Sequence, residues 1–188
     1  MPTYIAFAAD GNVDMYQSDI KYYRLLTAWD ALKSKDFEFI NPHEKGPMLR
    51  SWSKEETIKR TLRARLDKSK RMLLLVGDTT KLDDDFVPYE IEYAVDSCKI
   101  PVIVCYVSYR NRIIVDPNPP TSTELRQYIP KALLERMDNG TAKTIHIPFR
   151  EKIISKALDD YNSEHTPAYS FSVYTSSIYD SIYISGGI

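Results

Sequence analysis

The chain has 188 residues, 43% of them hydrophobic and 27% charged, enough to bury one core of ordinary size with little left for a second domain. A formal net charge of −1 and a pI near 6.3 leave no electrostatic footprint for nucleic acid or an anionic membrane surface. No run approaches the roughly 20 apolar residues of a bilayer span, "MPTYIAFAADGN" lacks the basic start of a secretory leader, and Cys98 and Cys105 are too few for a disulfide framework, so a cytoplasmic protein is expected.

"TYIAFAAD" is a short apolar run closed by the polar turn "GNVD", and it reads as a buried first strand. Tyr22, Leu25, Leu26, Trp29 and Leu32 then recur at helical spacing, which predicts an amphipathic helix from about Ser18 to Ser34. "FEFI" is a second short strand and stops at "NPHEKGP". In "SWSKEETIKRTLRARLDKSK", Ser53 and Glu56 have capping-box spacing, and Ile58, Leu62 and Leu66 follow four apart. The basic residues of that helix read as a solvated face, not as a nucleic-acid surface.

"RMLLLVGD" is an uninterrupted apolar run of the kind found where helices cover both faces of a parallel strand, and it predicts a central strand. A helix from about Phe86 to Ser97 and a second such strand, "IPVIVCYV", follow. Beyond a Pro-rich loop, the pattern predicts a helix near Glu124 to Met137, a strand "KTIHIPF", and a helix near Arg150 to Tyr161. Five strands alternating with helices predict a three-layer α/β fold with a mostly parallel, doubly wound sheet over residues 1–162. Residues 163–188 are rich in Ser, Tyr and Ile and almost uncharged; they read as a C-terminal tail, either a flexible or edge-packed terminus or an arm that docks on a neighbouring subunit.

In an open parallel sheet, ligands gather outside the carboxyl ends of the strands, where the strand order reverses. The loops there offer Asp10 and Asn12 after the first strand, Asn41 and His43 after the second, and Asp78 and Thr79 after the third. G-x-G-x-x-G, G-x-x-x-x-G-K-[ST] and G-x-S-x-G are all missing, which argues against a dinucleotide-binding oxidoreductase, a P-loop enzyme and a serine hydrolase. His43, His146 and His165 have no ligand spacing, so no metal site is expected.

"FVPYEIEYAVDS" carries two glutamates that helix geometry separates at about 100° per residue. Glu92 falls on the polar flank with Asp85, Tyr89 and Asp96, whereas Glu90 lies beside Ala94 and, one turn earlier, Phe86. With Asp85 as N-cap and Pro88 in the first turn, Glu90 sits near the helix start and the carboxyl edge of the sheet. Sequence physics leaves it open between a catalytic carboxylate and one that complements the helix N-terminus.

Over Thr3 to Val107, the segments "TYIAFAAD", "TIKRTLRARLDKSKRMLLLVGDTT" and "FVPYEIEYAVDSCKIPVIVCYV" resemble the TIR-like family, in particular the TIR-like component of the Thoeris antiphage defence system. The resemblance implies a TIR/flavodoxin-like fold and an enzyme that cleaves NAD⁺ between nicotinamide and ribose. NAD⁺ is then substrate, with no resident cofactor. The catalytic glutamate of the family's W-x-x-x-E motif matches Glu90, and Phe86 stands where that motif has Trp. Phe7 and Phe86 are candidate walls that stack on rings and exclude water, and Asp10, Asn12, Asn41 and His43 are candidates for ribose or phosphate contacts. The resemblance further implies an ADP-ribose-type signal, cyclic or modified, read by a separate downstream effector, and self-association of the domain.

Two readings from other classes stand beside it. A catalytically silent TIR-like oligomerisation or adaptor module fits Phe86 and the tyrosine-rich tail, and a nucleoside deoxyribosyltransferase-like enzyme shares the strand order and a sugar-directed glutamate. A phosphoacceptor receiver domain fails, because one acidic residue ends the first strand and "KTIHIP" offers no lysine at the end of the fifth.

Overall fold

The computed structural model describes residues 1–8, 20–32, 39–40, 55–77, 80–82, 86–107 and 122–183. The two continuous apolar runs form the middle of the sheet as β3 (Arg71–Val76) and β4 (Val102–Tyr106), and every residue of both is buried. On one side of them lie β1 (Thr3–Ala6) and the short β2 (Phe39–Ile40), and on the other β5 (Thr144–Pro148) and β6 (Ser172–Val173). The order is β2-β1-β3-β4-β5-β6 and every pairing is parallel. Register runs from Thr3 opposite Arg71, through Met72 opposite Val102, to Val102 opposite Thr144. Strand order reverses between β1 and β3, which puts the switch point of the doubly wound sheet there.

The five expected strands are present, and β6 adds a sixth from within residues 163–188. The first helix is α1 (Ile20–Leu32) and the basic helix is α2 (Glu55–Leu66), with Ser53 of the expected capping box outside the described residues. The helix after β3 is α3 (Phe86–Glu92), which widens into a π-helical turn over Tyr93–Ser97. Lys99 then takes a left-handed φ of 55°, which ends the helix and turns the chain into β4.

The single helix expected near Glu124 to Met137 is instead two, α4 (Ser122–Arg126) and α5 (Lys131–Asp138). Pro130 is the cause: it lacks an N–H to continue the ladder and holds an extended ψ of 141° as the N-cap of α5. The chain closes with α6 (Glu151–Asp160) and α7 (Ser176–Tyr183).

Alternate side chains of the strands feed two cores. Tyr4, Ala6, Met72, Leu74, Val104 and Tyr106 pack with Leu62, Leu66, Val87, Ile91 and Leu133 under α2, α3 and α5. Ile5, Phe7, Leu73, Leu75, Ile103 and Ile147 pack with Leu26, Ile153, Leu158 and Tyr179 under α1, α6 and α7. This three-layer arrangement puts α3, and with it Glu90, against the face of the sheet that carries Tyr4.

Candidate functional site

Helix α3 buries Val87, Glu90 and Ile91 and exposes Glu92, so its inward stripe contains one carboxylate. Glu90 is 3% exposed and is the only buried Asp or Glu among the described residues. The Tyr4 hydroxyl donates to its Oε1 at 2.6 Å, across 86 residues of chain. Burial, then the charge of Glu90 and the bond to it, push the Tyr4 phenol well above its ordinary range, while Arg65 on α2 pulls the other way. Tyr4 therefore stays a donor and Glu90 accepts.

Phe86 lies one turn before Glu90, half-buried and packed against the same core. Glu92 points away: its side chain is half exposed, 3.8 Å from Arg136 of α5, whose main partner is Asp96. The surface beside it carries Tyr89, stacked on Tyr93 with the Lys59 ammonium 5.0 Å from the Tyr89 ring centre. The partition of the two glutamates expected from helix geometry is the one observed.

The exit of β3 toward α3 is held by Thr80, whose Oγ1 accepts from the Gly77 N–H at 2.7 Å and donates to the Leu75 carbonyl at 3.3 Å. Its hydroxyl is spent on the turn.

Phe7 is not brought to Glu90. It is 2% exposed in the opposite core, stacked on Tyr23 of α1 with ring centres 5.4 Å apart, so the sheet separates the two. Asp10, Asn12, Asn41, His43 and Asp85 lie outside the described residues. Tyr4 is the site residue the sequence reading missed. Its signal was available, since a tyrosine inside a fully buried strand must find a partner for its hydroxyl.

Neither cysteine is set up as a reactive thiolate. Cys98 is half-buried beside Asp67, and burial followed by that carboxylate pushes its thiol up to about 11, which disfavours the thiolate. Cys105 is buried, and burial pushes its thiol well above the usual range. Among the described residues no group of three or more His, Cys, Asp or Glu is placed to hold a metal ion, and no helix is long and apolar enough to cross a membrane.

Residues 4–112 match the family model described as the TIR-like domain of the Thoeris protein ThsB. The chain belongs to this family. The match begins at Tyr4, spans the switch point between β1 and β3, and takes in Phe86 and Glu90. The Thoeris TIR-like region thus contains both partners of the buried hydrogen bond, while β5, α6, β6 and α7 lie beyond it. Membership ties the chain to Thoeris antiphage defence and is compatible with NAD processing.

Proposed function

We propose that this TIR-like protein cleaves the bond between nicotinamide and ribose in NAD⁺ and makes an ADP-ribose-type signal, cyclic or modified, in antiphage defence. One observation carries the reading: the one buried carboxylate among the described residues, Glu90, lies on the helix that follows β3, a strand of the switch point, inside the family stretch. Nicotinamide leaves with the electron pair of the broken C–N bond, which neutralises its pyridinium ring, so no general acid has to protonate it. A single carboxylate suffices, unlike the pair that O-glycoside cleavage requires. Glu90 stabilises the positive charge developing on the ribose, and low local polarity strengthens that interaction. A nucleophile then adds to the ribose carbon and gives up its proton; water yields ADP-ribose, and a group of the same nucleotide yields a cyclic product. Half-buried Phe86 supplies an aromatic wall next to Glu90 that limits the access of water. The reading further includes NAD⁺ as substrate, self-association in the cytoplasm, and a diffusible nucleotide that acts on a separate effector.

The test incubates purified protein with NAD⁺, with and without lysate from phage-infected cells as activator, and follows nicotinamide and ADP-ribose products by mass spectrometry. Glu90→Gln is expected to abolish turnover, and a fully active Glu90→Gln protein refutes the assignment. Phenylalanine at position 86, in place of the tryptophan of the W-x-x-x-E pattern, favours the second reading, a silent adaptor. That reading predicts no turnover under any condition and a change in oligomer size when residues beyond Ser163 are removed.

A further inference from the structure

Glu90 and Tyr4 meet inside a core whose other residues are almost all apolar, the Tyr106 hydroxyl and its His146 partner excepted. Val87 and Ile91, on either side of Glu90 in the helix, already pack α3 against the sheet, and Leu62 and Leu66 bring α2 onto the same surface. Nothing in that packing calls for a carboxylate and a phenol, and a hydrophobic pair of similar volume commonly holds such a junction at least as well as a polar one. The bond is made from β1, a strand fixed on both sides by its pairing to β2 and to β3, with Tyr4 opposite Met72. Tyr4 is 0% exposed, so its ring is fixed by packing before its hydroxyl contributes anything.

We propose that Tyr4 is a positioning residue for Glu90: its hydroxyl, by donating to Oε1, holds the carboxylate in the one orientation that faces the ribose of bound NAD⁺. This rests on the function proposed above and adds a role to a residue of the first strand. A glutamate side chain has three rotatable bonds, and a catalytic carboxylate that samples several rotamers is correctly placed only part of the time. A bond to an immobile strand removes that freedom in advance of the reaction. The direction of the bond suits the task. Burial, the Glu90 charge and the bond itself all keep the Tyr4 phenol protonated, so it donates and the carboxylate accepts. Arg65 is the other charged group acting on Tyr4, from α2, and its weaker opposite pull leaves the phenol a donor.

Tyr4→Phe keeps the ring and deletes only the hydroxyl. The expected result is a kcat lower by about 10- to 100-fold, the scale of a misplaced catalytic group, with KM for NAD⁺ within about twofold of the unaltered protein. Replacing Tyr4 by para-aminophenylalanine restores a donor at the same place and is expected to bring kcat back to within a few-fold. Wild-type kcat in Tyr4→Phe, or a raised KM with unchanged kcat, overturns the proposal. Should Tyr4→Phe not fold, the para-amino protein decides alone: an inactive protein with the unaltered circular dichroism overturns the proposal, and an active one supports it. Unaltered protein and Glu90→Gln run alongside. Absence of turnover by the unaltered protein counts against the proposed function itself, whereas an active protein, a dead Glu90→Gln and an undiminished Tyr4→Phe count against the role of Tyr4 only.

Discussion

His146 on β5 is 0% exposed, and its two ring nitrogens are both bonded: Nδ1 to the Tyr106 hydroxyl at 2.8 Å and Nε2 to Thr144 Oγ1 at 2.8 Å. Thr144 has one hydroxyl proton, and it goes to the Ser170 carbonyl of the C-terminal segment. Thr144 must therefore accept from His146 Nε2–H, which leaves Nδ1 bare to accept from Tyr106. The network fixes one neutral tautomer, and a second ring proton would meet the Tyr106 donor head on. Burial accordingly lowers the imidazole from 6.5 to about 3.

In the unfolded chain the same ring titrates at its ordinary value of 6.5. Above pH 6.5 both states are neutral and the network's stabilisation is complete; between pH 6.5 and about 3 only the unfolded state binds the proton, so stability falls as pH falls. One proton corresponds to about 1.4 kcal/mol per pH unit, hence about 2 kcal/mol lost between pH 6.5 and 5. With an unfolding entropy of roughly 2 cal/mol/K per residue over this chain length, that is a fall in Tm of about 5 °C. The assay is thermal unfolding by circular dichroism at half-unit steps from pH 7.5 to 5, for the unaltered protein and for His146→Gln. Gln retains a donor and an acceptor and does not titrate. The variant should be less stable at pH 7.5 and should lose the extra dependence on pH, since every other group is common to both proteins. Parallel curves for the two proteins refute the buried neutral ring.

Tyr106→Phe leaves His146 Nδ1 buried without its donor and should cost about 1–3 kcal/mol, read from chemical denaturation. Deleting residues 170–188 removes β6, α7, the Phe171 ring 4.4 Å from His146, and the buried Tyr174 and Tyr179; a sharply lowered Tm is expected, and a truncated protein as stable as the full chain contradicts this packing. Iodoacetamide at pH 8, followed by intact mass, should modify Cys98 slowly and Cys105 only on unfolding; rapid labelling of Cys105 in the native protein would show that β4 is not enclosed.

The strands were legible because β3 and β4 are covered on both faces, and such strands have no polar positions to blur the run. The same property hid which way β1 faces. "TYIAF" has no polar alternation, so nothing in it separates the Tyr4 and Ala6 face, toward Glu90, from the Ile5 and Phe7 face, toward α1. The glutamates of α3 were separable because a helix with one apolar stripe reveals its orientation. β6 was not legible: a two-residue, Ser-containing strand forms because β5 offers an open edge and because Thr144 and His146 hold Ser170 and Phe171, contacts made only after folding. The break at Pro130 was visible as a residue but masked by Leu125 and Leu133, which fit one continuous helical stripe.

The described residues contain two buried charged side chains, and their surroundings give them different explanations. Arg71 lies at the amino end of β3 and donates to Thr3 Oγ1, to the Tyr161 carbonyl and to the Met1 carbonyl. It joins the start of the chain, the central strand and the end of α6; burial lowers its basicity, the Asp159 charge pulls the other way, and the three bonds give its buried donors fixed acceptors. Structure accounts for Arg71 completely. Glu90 joins α3 to β1, two elements whose apolar side chains already meet, through a tyrosine one residue from the amino end of β1. Sequences that fold well keep each local choice consistent with the global fold, and a buried carboxylate is a costly exception that makes Glu90 the candidate to test. The Tyr4–Glu90 bond joins the one buried carboxylate among the described residues to the sheet, and the catalytic assignment stands or falls with the turnover of Glu90→Gln.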